Sequence, residues 1–164
     1  MKPVLFAAPV LFAAMAAMVM SAAYADTMKD ASVSVKPGKW SWKQETRVIG
    51  LPINENNLEC LIPEKAQITL SKLARDLDEG CTVEGVTPAA GGYDFLLVCE
   101  GKYPGKAKAS LTHTDTSMAI RAKGSAKVMG IPAGFSMQAD AAYVGECSAA
   151  EIAEETAKLA AETR

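Results

Sequence analysis

The side chains best able to do nucleophilic, redox or metal chemistry are few here: four cysteines, one histidine and scattered carboxylates. Cys60, Cys81, Cys99 and Cys147 contain no Cys-x-x-Cys pair, so a thioredoxin-like redox centre is not expected. His113 stands alone, which removes most zinc sites. A Ser–His–acid triad would need a nucleophile elbow, and no Gly-x-Ser-x-Gly is present. His113 shares a strand face with Ala109 and Leu111, which suits a packed or rim histidine. No two carboxylates are forced together by strand or helix spacing, as general acid–base work would require. Gly91-Gly92 reads as turn material rather than a phosphate cradle. Met118, Met129 and Met137 could gather as soft thioether ligands for copper(I). Core packing is the simpler expectation, because no His or Cys supports them.

With catalysis so poorly provided for, the cysteines read as staples. Cys81 to Thr87 and Tyr93 to Glu100 are strand-like runs separated by Pro88-Ala89-Ala90-Gly91-Gly92. A hairpin centred on Ala90 sets Val83 opposite Leu97 and Cys81 opposite Cys99. Directly opposed Cβ atoms lie roughly 4.5–5.5 Å apart, within reach of a disulfide after small adjustment. Cys81–Cys99 is therefore expected, and Cys60–Cys147 follows by elimination among three connectivities.

The elements that must position these residues are mainly strands. Ala107, Ala109, Leu111 and His113 alternate with Lys106, Lys108, Ser110, Thr112 and Thr114. Phe135, Met137, Ala139, Ala141 and Tyr143 alternate with polar or small neighbours. A period of two over such lengths specifies antiparallel strands with one wet and one covered face. Trp40 and Trp42 share a face with Gln44, Thr46 and Val48; they suit a core anchor or a ligand-stacking platform. Gly50 to Asn54 and Gly130 to Gly134 read as reversals, Asn56-Asn57 as irregular, and Gly124 as a bulge or bend. Arg47-Val48-Ile49-Gly50-Leu51-Pro52 is echoed by Lys127-Val128-Met129-Gly130-Ile131-Pro132. Two hairpins can share one turn solution, or two apolar tips can form a greasy mouth at one end of a curved sheet.

Pro63 can open a helix, and Ala66, Leu70, Leu73, Ala74 and Leu77 follow helical spacing up to Gly80. Ser148 to Glu151 has the form of a capping box, starting a tail helix with little to bury. At the other end, Val4 to Ala23 is apolar and Ala23-Tyr24-Ala25 fits a signal-peptidase site, so cleavage after Ala25 is expected. The reading by segment is a signal peptide over 1–25, a mobile leader over 26–35, a β-rich domain over 36–147 and a tail over 148–164. The formal net charge is −2, one unit more negative once Lys2 leaves with the signal. That composition argues against nucleic acid, which would want a clustered basic surface, and disfavours a strongly anionic membrane surface for the same reason. Export into an oxidising space, most simply a bacterial periplasm, fits the cysteine staples. No stable membrane anchor is expected after signal cleavage.

Lys36-Pro37-Gly38-Lys39-Trp40 opening a strand, Cys60-Leu61-Ile62-Pro63-Glu64-Lys65-Ala66, central Cys81 and Cys99, and closing Gly145-Glu146-Cys147 together resemble the Domain of Unknown Function 3617 family. The resemblance spans about Val35 to Cys147 and implies a small exported β-rich domain with no established activity. Ile62 stands where Ser or Thr would cap better, and the tail beyond Ser148 looks like an addition. The expected fold is mainly β (α+β): a curved antiparallel sheet or partly closed barrel, one packed helix, a C-terminal helix and two disulfides. The expected function is non-enzymatic and needs no cofactor. It is binding of an apolar small molecule or lipid, with Trp40, Trp42, Met129, Ile131, Phe135 and Met137 as candidate contacts. The alternative is an interaction module that meets an envelope protein partner through a sheet edge or the tail helix.

Overall fold

The structure is a computed structural model and describes residues 31–77, 79–102 and 104–162. The signal peptide read over 1–25 lies outside the described residues. Alternation is realised as a seven-stranded antiparallel sheet in the order β3-β2-β9-β8-β7-β6-β5. Its strands are β2 (Gly38–Val48), β3 (Leu51–Leu61), β5 (Cys81–Ala89), β6 (Gly92–Cys99), β7 (Gly105–Thr114), β8 (Ser117–Val128) and β9 (Ile131–Gly145). Strands β5 to β9 form a meander, and β2 then adds to β9, so the sheet stays open with β3 and β5 as edges. The barrel alternative is thereby settled in favour of an open sheet.

The short strands β1 (Ser32–Ser34) and β4 (Gln67–Thr69) pair into a second, two-stranded sheet. This corrects the mobile leader over 32–35. Val33 opposes Ile68, Val35 N–H donates to Ala66 O at 3.0 Å, and both valines are buried. Burying two valines and a set of backbone donors outweighs the entropy of ordering so short a segment.

Helix α1 (Leu70–Leu77) begins later than its sequence suggests. Pro63–Lys65 makes only a single 3-10 turn, because Gln67–Thr69 is claimed by β1. Thr69 Oγ1 accepts from Lys72 N at 3.1 Å and so caps the true start. Ile62, the residue before Pro63, makes no side-chain cap; it is buried instead. The predicted stripe Leu70, Leu73, Ala74 and Leu77 still faces the sheet.

Three turn expectations also shift. Residues 51–61, read as turn and irregular chain, form the edge strand β3. Pro52 is tolerated at an edge, where a missing donor costs little, and pairing with β2 overrides the poor strand propensity of Asn54, Asn56 and Asn57. Both reversals near Gly50 and Gly130 contract to two residues, Ile49-Gly50 and Met129-Gly130. Gly124 makes no bulge: β7 and β8 keep one register through Gly124↔Ala107. A Cβ there would stand 2.1 Å from Lys106 O, so glycine permits close strand approach.

The hairpin carrying the first disulfide is as expected at its base, with Val83↔Leu97 and Cys81↔Cys99 opposed. Nearer the turn a bulge at Gly85-Val86 moves the register by one, so the loop tightens to Ala90-Gly91. Cys81–Cys99 and Cys60–Cys147 both form. The core lies between α1, β1 and one sheet face, where Trp40, Phe95, Leu97, Leu111, Met118 and Ile120 meet Val33 and Leu70. The rest of that face is floored by Ala107, Ala109, Ala122, Ala139 and Ala141.

Candidate functional site

Alanine decides where the site is. On β7, β8 and β9 the covered face carries methyl groups where larger aliphatics would meet the helix, so the layer under α1 is underfilled. The result is an apolar cleft of about 110 Å³. Its walls are Leu73 and Leu77 from α1 with Trp42, Phe95, Ile120 and Met137 from the sheet. Among the described residues, Gln44 is the only polar one in the lining. An apolar void of roughly this size, near 150 Å³, stays dry and can take a benzene-sized guest. Its volume matches one ring or the end of an alkyl chain.

The structure divides the candidate contacts. Trp42 and Met137 line the cleft. Trp40 does not: it is 1% exposed, donates Nε1–H to Lys36 O at 2.9 Å, and meets Tyr143 edge-on with ring centroids 6.2 Å apart. Alternate residues of β2 do share a face, but the aromatic end of that face is sealed by Tyr143 and only Trp42 borders free space. Phe135 is half-buried, two residues along β9 from Met137 towards the hairpin tips. Met129 and Ile131 lie at the β8–β9 tip, exposed. Sequence reasoning identified the helical stripe but missed Leu73, Leu77, Phe95 and Ile120 as cleft walls. The signal available was the run of alanines opposite that stripe.

Around Tyr143 the closed end is polar outside. The Lys36 ammonium sits 4.2 Å from the ring centroid, Tyr143 donates its hydroxyl to Glu146 at 2.5 Å, and Lys36 lies 3.5 Å from Glu146. These contacts, Tyr143 first, hold Lys36 above its ordinary value; the Tyr143 hydroxyl and then Lys36 hold Glu146 below its own.

The copper arrangement is not formed. Met118 is buried opposite His113 at the start of β8, Met137 is in the cleft wall opposite Ala122, and Met129 is at an exposed turn. Strand register spreads the three along the sheet rather than gathering them. His113 is partly buried on the covered face, and its Nδ1 has no hydrogen-bond partner among the described residues.

The C-terminal helix α2 (Ala149–Glu162) opens with the predicted capping box. Glu151 accepts from Ser148 N at 2.7 Å and from its hydroxyl at 2.8 Å, while Glu151 N donates back to Ser148 Oγ at 3.3 Å. The helix has no fully buried residue and is held against the β3 edge by Lys39–Glu151 at 2.7 Å and Lys65–Glu155 at 3.2 Å. Desolvation pushes the nearby Glu59 carboxyl up, and the charge of Glu155 adds to that.

Among the described residues, no helix is long and apolar enough to cross a membrane. No curated protein and no solved structure matches the chain. A family profile described as "Protein of unknown function (DUF3617)" matches residues 35–147, from the buried valine ahead of β2 to the last cysteine, which takes in the whole seven-stranded sheet, α1 and both disulfides. The chain belongs to the DUF3617 family.

Proposed function

We propose that this is an exported, periplasmic protein that binds an apolar small molecule or the end of a lipid chain, without catalysing its conversion. The observation that carries the reading is the cleft itself: about 110 Å³ walled by Trp42, Leu73, Leu77, Phe95, Ile120 and Met137. Filling such a space with hydrocarbon restores dispersion contacts that the empty site lacks. Binding also removes apolar ligand surface from water at roughly 25 cal/mol per Å². The non-enzymatic part is supported by His113, whose Nδ1 is oriented by no acid or carbonyl among the described residues. Export is supported by two disulfides, which persist in oxidising compartments.

Titration with a medium-chain fatty acid tests the proposal through Trp42 emission, since Trp40 is sealed in the core and supplies a constant background. A saturable change that is absent in Trp42→Phe is expected. No change at millimolar ligand in a folded protein overturns it. A second reading, an interaction module, is favoured by the edge strand β3, where Leu51 through Glu59 are all exposed. Capture of an envelope protein by the wild type but not by a variant with an inward-pointing lysine in β3, with no fatty-acid response in either, would favour it instead.

A further inference from the structure

The two echoed hairpins turn at the same end of the sheet. Val48 pairs with both Leu51 and Phe135, and Ile49 N–H donates to Gly134 O at 3.2 Å. The β2–β3 tip therefore lies beside the start of β9, and the β8–β9 tip runs past it by a few residues, roughly 10 Å. A plane inclined to the strands meets both.

Each tip is built against local preference. Ile49 and Met129 both have φ of 53°, followed by Gly50 at 79° and Gly130 at 81°, the double positive φ of a type I′ turn. Asn-Gly is the favoured pair there, and a β-branched residue such as isoleucine at positive φ is an outlier. These same two side chains are 76% and 95% exposed. Strain and exposed hydrocarbon coincide twice in one chain, at neighbouring tips, which points to a surface that something apolar covers.

Charge identifies the cover. Residues 46–54 and 123–139 contain no Asp or Glu, yet hold Arg47, Lys123 and Lys127, in a chain of formal net charge −2. Alternation places these three cations on the open sheet face, while Val48, Leu51, Ile53, Val128, Ile131 and Phe135 continue the covered face from the cleft to the tips. Arg47 pairs with Glu45, whereas Lys123 and Lys127 have no ion-pair partner among the described residues. Apolar tips flanked by Lys123 and Lys127, neither of them neutralised by a carboxylate among the described residues, match the headgroup–acyl boundary of an anionic bilayer, where lysines snorkel and aliphatics bury.

We infer that the β2–β3 and β8–β9 tips insert shallowly into an anionic phospholipid surface. This membrane contact is a property of the tips and does not require the cleft to hold a ligand.

Co-sedimentation of the purified protein with phosphatidylcholine vesicles, with and without phosphatidylglycerol, tests it. Wild-type protein should bind the phosphatidylglycerol vesicles and release as salt rises. A Met129→Trp variant should show, over the wild-type background, blue-shifted emission quenched by brominated lipid. The double variant Ile49→Asn/Met129→Asn relaxes both turns and so keeps the fold, with an unchanged or higher Tm. Its partition should fall on the order of tenfold or more, since two bulky side chains no longer leave water. Lys123→Gln/Lys127→Gln should remove the preference for phosphatidylglycerol. Three results overturn the inference: no wild-type binding to phosphatidylglycerol vesicles, undiminished binding by the double Asn variant, or a wild-type dimer that this variant dissolves in the absence of lipid. The fatty-acid response of Trp42 should persist in the double Asn variant, so failure of the tips and failure of the cleft read out separately.

Discussion

Lys65 and Glu155, 90 residues apart in sequence, meet at 3.2 Å with side chains only 16% and 13% exposed, and polar contacts of this kind, rather than apolar burial, hold α2 to the edge of the sheet. The 3-10 turn that starts at Pro63 presents Lys65 to the helix. A helix attached by charge responds to pH differently from one attached by leucines.

Acid should therefore release α2 before the sheet unfolds. Lys39, then the Ser148 amide and hydroxyl, lower the Glu151 carboxyl to about 2; Lys158, with Lys65 adding, lowers that of Glu155. A depressed carboxylate contributes stability that is fully present above its unfolded value, about 4.3, and is lost as pH falls through its folded value. Protection of the amides within 152–162, taken relative to the intrinsic exchange rate at each pH, should fall between about pH 4.5 and 2, while amides of β7 to β9 stay protected. Glu155→Gln should produce the same loosening at neutral pH, with a cost of about 1 kcal/mol or less to global unfolding. Simultaneous loss of sheet protection would show that α2 is integral to the core.

The two disulfides should differ in weight. Cys60–Cys147 closes a separation of 87 residues and Cys81–Cys99 one of 18. On the chain-entropy account, paired Cys→Ser replacement costs about 4.6 kcal/mol for the long loop and about 3.2 for the short one. Denaturant melts of the two double variants should rank in that order. The Cys81/Cys99 variant should also keep its hairpin, because Val83↔Leu97 pairing and burial remain. The reverse ranking would assign the effect to native contacts rather than to the unfolded chain.

Ala122→Leu should fill the cleft. Ala122 lies opposite Met137 on the covered face and both line the void. Added methylenes occupy empty space, so stability should change by less than the 1–3 kcal/mol usual for overpacking a filled core. Fatty-acid titration should lose at least about tenfold in affinity, given roughly 0.8 kcal/mol per displaced methylene contact. A loss of several kcal/mol in stability would show that the cleft collapses readily and is no site.

Gly124→Ala should be among the most damaging single-methyl additions. Its Cβ would lie 2.1 Å from Lys106 O and 2.6 Å from Ala107 Cα, both backbone atoms that cannot rotate away. Gly134→Ala, whose nearest such atom is 4.0 Å distant, is the control. Thermal melts should show a loss of about 2 kcal/mol or more for Gly124→Ala and little for Gly134→Ala. Equal melts would mean that β7 and β8 separate at low cost.

The sequence by itself determined which residues share a face, both disulfide pairings and the cap at Ser148. Period-two alternation, a bounded hairpin and a Ser-x-x-Glu box are local signals, read within a few residues of where they act. It misjudged Val33 and Val35, the 51–61 edge and the start of α1, because each depends on a partner distant in sequence: β4, β2 and β1 respectively. The Cys81–Cys99 register was legible although the turn was not, since the Gly85-Val86 bulge offsets a one-residue error in the loop. The cleft was decided by tertiary structure alone. Trp40 and Trp42 are equivalent in a strand pattern, and only the position of Tyr143 at one end and of α1 over the alanines at the other makes the first a core anchor and the second a wall of open space. Empty volume belongs to how layers meet, and no single strand encodes it.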